Sequence, residues 1–320
     1  MTRRAIAETL LDELVDIEDT RARTTLPIVS NEASPSKLAN AELERCGADD
    51  RFHDYVLLEY QPVASPVAKL RSLNLLVESF ALAGVEREGL AVMHAVRDAL
   101  GPFRTVWGIK WHHARRELGW ELYFYDYQRE HADLSIANLG KILAPHVTVG
   151  GREPRPLPWH MFSIEFDRAQ LCEGKPSAVD IYVDMRSYKS LGHEFVFENV
   201  YTFHHAYAEI DEILHRIRAC THFDPELDRL HRLVPPHLLN CRKVCVANKR
   251  SADALYFSRV TTRALQRFLV EQRWPAELAG YVEGWSDQLN HLLWDVGIDY
   301  RSDFDNTEVK PIKTGIYGSF

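Results

Sequence analysis

The run Trp107-Gly-Ile-Lys-Trp111 and the following Trp120-Glu-Leu-Tyr-Phe-Tyr-Asp-Tyr127 alternate apolar and polar positions. Successive strand side chains point to opposite faces. Trp107, Ile109 and Trp111 therefore share one face of the first strand, with Lys110 and His112 on the other. In the second strand Trp120, Leu122 and Phe124 share a face, opposite Glu121, Tyr123, Tyr125 and Tyr127. A strand face turned to open water has little reason to carry a column of tyrosines beside a Glu and near a Lys. A polar, aromatic interior does, so the pattern predicts one wall of a lined cavity.

The same alternation predicts strands at 53–61, 161–167, 179–186, 195–203, 242–248, 254–260, 296–301 and 309–320, about ten in all. Helical spacing predicts helices over 6–20, 36–46, 68–83, 88–100, 134–143, 206–220, 261–272 and 275–293. Hairpins separated by helices, with no Gly-rich phosphate loop, disfavour a doubly wound parallel sheet. The expected fold is α/β, with about ten antiparallel strands closed into a barrel around a solvent-filled lumen and helices packed outside. An open antiparallel α+β sheet is the alternative. It explains the alternation but not the aromatic character of the polar face. Residues 1–50 read as an N-terminal helical segment packing on a single domain of residues 51–320.

With apolar side chains outward, each strand gives up its inner face. Ser163, Glu165 and Asp167 point inward from one strand, and Asp180, Tyr182, Asp184 and Arg186 from the next. Tyr256 and Ser258 follow, then Lys313 and Tyr317; Lys243, Cys245 and Lys249 are inward in one of two registers for 242–248. The lumen then contains Lys110, Tyr123, Tyr125, Tyr182, Arg186, Lys243, Tyr256, Lys313 and Tyr317, with Glu59, Glu121 and Glu165 as acids. Converging Lys, Arg and Tyr donors suit a multiply charged anion such as a diphosphate. Tyrosine rings suit a planar or cationic group, and a Glu among them can take a proton. A one-residue slip in any strand reverses its list.

Composition narrows the classes. A formal charge of −8 argues against nucleic-acid binding. The absence of a long apolar run argues against a membrane span. Glu8 and Asp12 interrupt any signal-peptide core, and five scattered cysteines read as reduced thiols, so a cytoplasmic location is expected. Cys241 and Cys245 lack the second pair of a zinc site. The pairs Asp211/His215 and His205/Glu209 have helical ligand spacing, which leaves a His/carboxylate metalloenzyme open. Asp299, Asp303 and Asp305 read as a solvated loop rather than a magnesium site. No Gly-x-Ser-x-Gly elbow occurs.

Three segments carry a family resemblance: Tyr55-Val-Leu-Leu-Glu-Tyr-Gln61, Phe162-Ser-Ile-Glu-Phe-Asp with Val179-Asp-Ile-Tyr-Val-Asp, and Arg242-Lys-Val-Cys-Val-Ala-Asn with Ala254-Leu-Tyr-Phe. In layout and residue type the chain resembles the soluble aromatic prenyltransferases of the ABBA (prenyltransferase barrel) superfamily, over residues 50–320. It departs from indole-type members in lacking their regularly repeated Lys-x-Tyr. The resemblance implies transfer of a prenyl group from an isoprenoid diphosphate to an aromatic acceptor in secondary metabolism, by a monomer or homodimer. Lys110, Arg186, Lys243, Lys313, Tyr182, Tyr256 and Tyr317 would hold the diphosphate. Tyrosines would shield the allylic cation. Glu59 would orient or deprotonate the acceptor, with Glu121 and Glu165 as further acids. It requires no cofactor, and magnesium is possible but not indicated. A barrel that binds a small molecule without turnover is the non-enzymatic alternative.

Overall fold

The period-two pattern is realised as a sheet that closes on itself. The computed structural model describes residues 43–127, 134–151, 159, 161–191, 194–224, 233–303 and 308–320. The chain divides between Ser34 and Pro35, and all described residues belong to the second unit. The helix expected over 6–20 lies outside the described residues, as do Asp305 and most of the helix expected over 36–46. The last residues of that helix are extended, with Arg45 bridging Leu70.

Ten strands build the barrel: β1 (Thr105–His112), β2 (Glu117–Tyr125), β3 (Met161–Asp167), β4 (Ala178–Val183), β5 (Arg186–Leu191), β6 (Glu194–His205), β7 (Lys243–Lys249), β8 (Asp253–Thr261), β9 (Leu293–Asp303) and β10 (Glu308–Ser319). Each pairs antiparallel with its neighbours in sequence, and β10 pairs with β1 to close the ring. Closure leaves no free edge. The helices among the described residues are α1 (Leu73–Ala83), α2 (Glu86–Leu100), α3 (Ile136–Leu143), α4 (Arg168–Glu173), α5 (Ile210–Arg218), α6 (Pro236–Leu239), α7 (Thr262–Glu271), α8 (Ala276–Gly284) and α9 (Ser286–Leu289). None of them is long and apolar enough to cross a membrane.

Two apolar clusters stay separate because the wall lies between them. The outer one packs Trp107, Ile109, Trp120, Leu122, Phe124, Phe162 and Ile164 against helix residues such as Leu76, Phe80, Leu139 and Phe268. Each such side chain stabilises the fold by roughly 1.5–3 kcal/mol on burial. Trp120 meets Phe80 at 5.0 Å and donates its indole N–H to Ser79 Oγ at 2.9 Å. Trp294 donates likewise to Thr262 Oγ1 at 3.0 Å, so neither buried indole lacks an acceptor. The inner cluster is tyrosine-rich and holds Tyr123, Tyr125, Tyr256 and Tyr317.

Three expected elements are corrected. Residues 53–61 are not a strand: the chain reverses, with His53 bridging Glu59. Asp54 Oδ1 accepts from the N–H groups of Val56 and Leu58, and Leu57 sits at φ 57°. This is the turn chemistry of an Asp whose side chain ties its own backbone. The run 179–186 is a hairpin rather than one strand. Asp184, at φ 59°, turns the chain from β4 into β5, whose Arg-Ser-Tyr-Lys-Ser-Leu is too polar to read as a strand. The helix expected over 275–293 is two, interrupted at Trp285, and β9 already begins at Leu293. Ten strands were expected and ten form, with β5 in the place given to 53–61.

Candidate functional site

Register alone carries the inward side chains around the ring. Lys110 lies opposite Gly315 and Gly119, Glu121 opposite Glu165, Tyr123 opposite Ser163, and Ser163 opposite Asp180. On the far side Cys245 faces Tyr256, Tyr256 faces Gly297, and Lys313 faces Asp299. The glycines make room for rings: a Cβ on Gly297 would stand 2.7 Å from the Tyr256 ring.

At one rim a cavity of about 210 Å³ is walled by Tyr123, Tyr182, Tyr201, Phe203, Tyr256 and Tyr317 and capped by Tyr55. The rings form a chain: Tyr182–Tyr201 at 6.0 Å, Tyr201–Tyr256 at 6.4 Å, Tyr256–Tyr317 at 6.1 Å and Tyr317–Tyr123 at 5.9 Å. Tyr55 stacks on Tyr256 at 6.1 Å, with 19° between the planes. Its loop is strapped over the rim. Tyr125 donates to the Tyr55 carbonyl, Tyr127 to the Val56 carbonyl at 3.0 Å, and the Tyr55 N–H donates to Asp295 Oδ2 at 2.7 Å. Arg259 anchors the same loop through Asp54 at 2.9 Å. Burial pushes the phenols of Tyr123, Tyr182 and Tyr256 well above their ordinary range, so they remain protonated donors.

Beneath the tyrosines lies a layer of charge. Lys110 Nζ is 2.9 Å from Glu121 and donates to Tyr317 at 2.7 Å and Tyr123 at 3.2 Å; Tyr123 in turn donates to Glu121 at 2.5 Å. Two hydrogen bonds and one ion pair thus converge on the Lys110 ammonium. Burial disfavours the ammonium, but Glu121 and Tyr317 outweigh it and raise the Lys110 pKa. Burial likewise pushes Glu121 up, and Lys110 reverses this and holds it low. Lys249 donates to Tyr256 and Asp299, both at 2.8 Å. Burial lowers the Lys249 pKa despite Asp299, whereas Asp299 is held low by Lys249 and Lys313 against its own burial. Lys313 stands 3.9 Å from Glu165 and 3.8 Å from Asp299, beyond hydrogen-bond distance.

Lys110, Glu121, Tyr123, Tyr125, Glu165, Tyr182, Tyr256, Lys313 and Tyr317 thus share the lumen, as the alternation indicated. Three candidates do not join them. Glu59 is exposed on the strap, because 53–61 turns instead of entering the wall. Arg186 is exposed, because the turn at Asp184 pairs it with Val183 and sends it outward. Lys243 faces inward by register but sits half-buried at the rim, opposite His205 and Ser258. Lys249, about 20 Å further along the strand, supplies the deep lysine of β7. Asp299 is a lumen residue ion-paired with Lys249, not part of a solvated loop. The alternation puts Lys249 inward in one of two registers, and that register is the one formed. Tyr55, Tyr201 and Asp299 escape the candidate set, and applying the alternation to 199/201/203 finds Tyr201.

Metal chemistry finds no cluster: among the described residues no three His, Cys, Asp or Glu side chains converge. His205 and Glu209 serve the entry to α5, the His205 N–H donating to Glu209 at 2.6 Å. All five cysteines are free, and burial pushes the Cys241 and Cys245 thiols up to about 12. No protein-family model and no curated protein sequence matches the chain.

Proposed function

We propose that this chain transfers a prenyl group from an isoprenoid diphosphate to an indole- or phenol-type small molecule inside the barrel. The observation that carries the reading is the tyrosine chamber of about 210 Å³ standing directly over buried lysines within one closed barrel. In the reaction the allylic C–O bond breaks and diphosphate leaves with the electron pair. An aromatic carbon then forms the new C–C bond, and the ring proton passes to a lumen carboxylate. Tyrosine faces would keep water from the allylic cation. Lys313, whose nearest carboxylates lie beyond hydrogen-bond distance, has donors for the leaving oxygens.

One observation favours a second reading, a barrel that binds without turnover: Lys110 is already ion-paired with Glu121 and donates to Tyr123 and Tyr317. Incubation with dimethylallyl or geranyl diphosphate and a panel of indoles and phenols, followed by mass spectrometry, separates the two. Prenylated product that disappears in Lys313→Met supports the transferase. Aromatic binding without product and without diphosphate affinity overturns it in favour of the binding barrel.

A further inference from the structure

Three lumen lysines have carboxylates within ion-pair distance: Lys110 has Glu121, Lys249 has Asp299, and Lys313 lies between Glu165 and Asp299. Asp180 is different. It stands on the inner face of β4, opposite Ser163 of β3 and Lys189 of β5. It lies two residues below the cavity-lining Tyr182, about 7 Å deeper. Its Oδ1 is enclosed and receives no hydrogen bond. A buried acceptor without a donor is unfavourable, and the cost is recovered when a donor arrives. Above it the Tyr182 and Tyr201 rings stand 6.0 Å apart at 41°, a pair of π-faces suited to a cation.

We propose that Asp180 receives the nitrogen of a ligand seated in the tyrosine chamber, and that this ligand is an arylalkylamine whose ammonium points to the barrel floor. An anionic end is disfavoured there by Glu121 and Glu165, which also act on Asp180. The other groups facing it are Lys189 of β5, Tyr201 of β6 and Lys313 of β10, besides Tyr182 on its own strand. Burial first, then Glu121, pushes the Asp180 carboxyl up to about 7, so its charge, and with it the attraction for an ammonium, develops near neutrality. The contact is independent of prenyl transfer, because a non-catalytic barrel would make it equally.

Calorimetric titration of the full chain with tryptamine and with indole-3-propionate, its acidic counterpart, tests this without any diphosphate present. Tryptamine is expected to bind at least about tenfold tighter. That preference should shrink to within about threefold in Asp180→Asn. Because an alkylammonium stays charged near neutrality, tryptamine affinity should rise between about pH 6 and about pH 8 in the parent and stay flat in the variant. Thermal unfolding of Asp180→Asn and Asp180→Leu checks that both fold. Equal affinity for the two probes, undiminished tryptamine binding by Asp180→Asn, or no tryptamine binding at all would overturn the assignment and leave ordered water as the partner of Asp180.

Discussion

Lys110 shows how much of the lumen is held by single side chains. Its ammonium satisfies a buried Glu121 and two phenols, so Lys110→Met leaves a carboxylate enclosed without its counter-charge. A loss of about 3–5 kcal/mol in urea unfolding is expected. Lys110→Met combined with Glu121→Gln should recover a large part of it. Additive losses would contradict the pairing. Asp180 gives a pH signature of opposite origin. Its carboxyl rises from the ordinary 3.8 to about 7 on folding. Between those values the unfolded chain has released the proton and the folded chain has not, so the folded state loses stability as pH rises through this window. Asp180→Asn removes that dependence. Its Tm should match the parent near about pH 4 and exceed it by several degrees near about pH 8. A difference between the two proteins that does not vary with pH would refute the buried carboxyl.

Among elements, the strap at 52–60 has the most consequence for ligand access. Its alternation reads as a strand, yet Asp54 folds the turn on itself and the segment bridges only internally, between His53 and Glu59. The clamp is Arg259, itself at φ 67° where β8 shifts register between Phe257 and Val260. Such a bulge re-aims a side chain. Here it sends a guanidinium to Asp54 and the Leu58 and Glu59 carbonyls, while the Arg259 N–H donates to Asp295. Arg259→Met should speed amide exchange across 52–60 by at least about tenfold while β1, β2 and β10 keep their protection. Uniform exchange loss would mean that Arg259 supports the barrel rather than the strap. β9 carries a related demand for space. Gly297→Ala would drive a Cβ to 2.7 Å from the Tyr256 ring, displacing the phenol that accepts from Lys249. A cost of about 1–3 kcal/mol and weaker aromatic binding should appear together in unfolding and titration.

For the whole molecule, β10 is the stave that completes the ring between β9 and β1. Its last residues serve both sides of the wall. Tyr317 reaches Lys110 in the lumen, and Phe320 is bonded through its backbone to Thr105 and Phe103. Deleting residues 317–320 removes a wall of the chamber, a ligand of the central lysine and the seam with β1. Aromatic-ligand binding should vanish and the unfolding transition should broaden or shift down. Full retention of binding would show that the chamber does not depend on closure at this seam. The alternation in the opening hairpin already separates the two apolar clusters. Trp107, Ile109 and Trp120 pack with helices, whereas Lys110, Glu121 and Tyr123 meet inside.

What the sequence by itself determined is therefore the wall: strand faces, hairpins, outer helices and the inward set Lys110, Glu121, Tyr123, Tyr125, Glu165, Tyr182, Tyr256, Lys313 and Tyr317. Period-two alternation is a local property, and one apolar face per strand suffices to fix it. Only the tertiary structure decided that Lys110 is engaged by Glu121, Tyr123 and Tyr317, that Lys249 and Asp299 share the floor, and that Glu59 and Arg186 stay outside. Pairing of charges depends on which strands become neighbours across the lumen, and on turns at Asp54 and Asp184 whose side-chain and αL geometry leaves no periodic trace. Asp180 was legible as an inward residue, but its missing donor is a fact of three-dimensional enclosure.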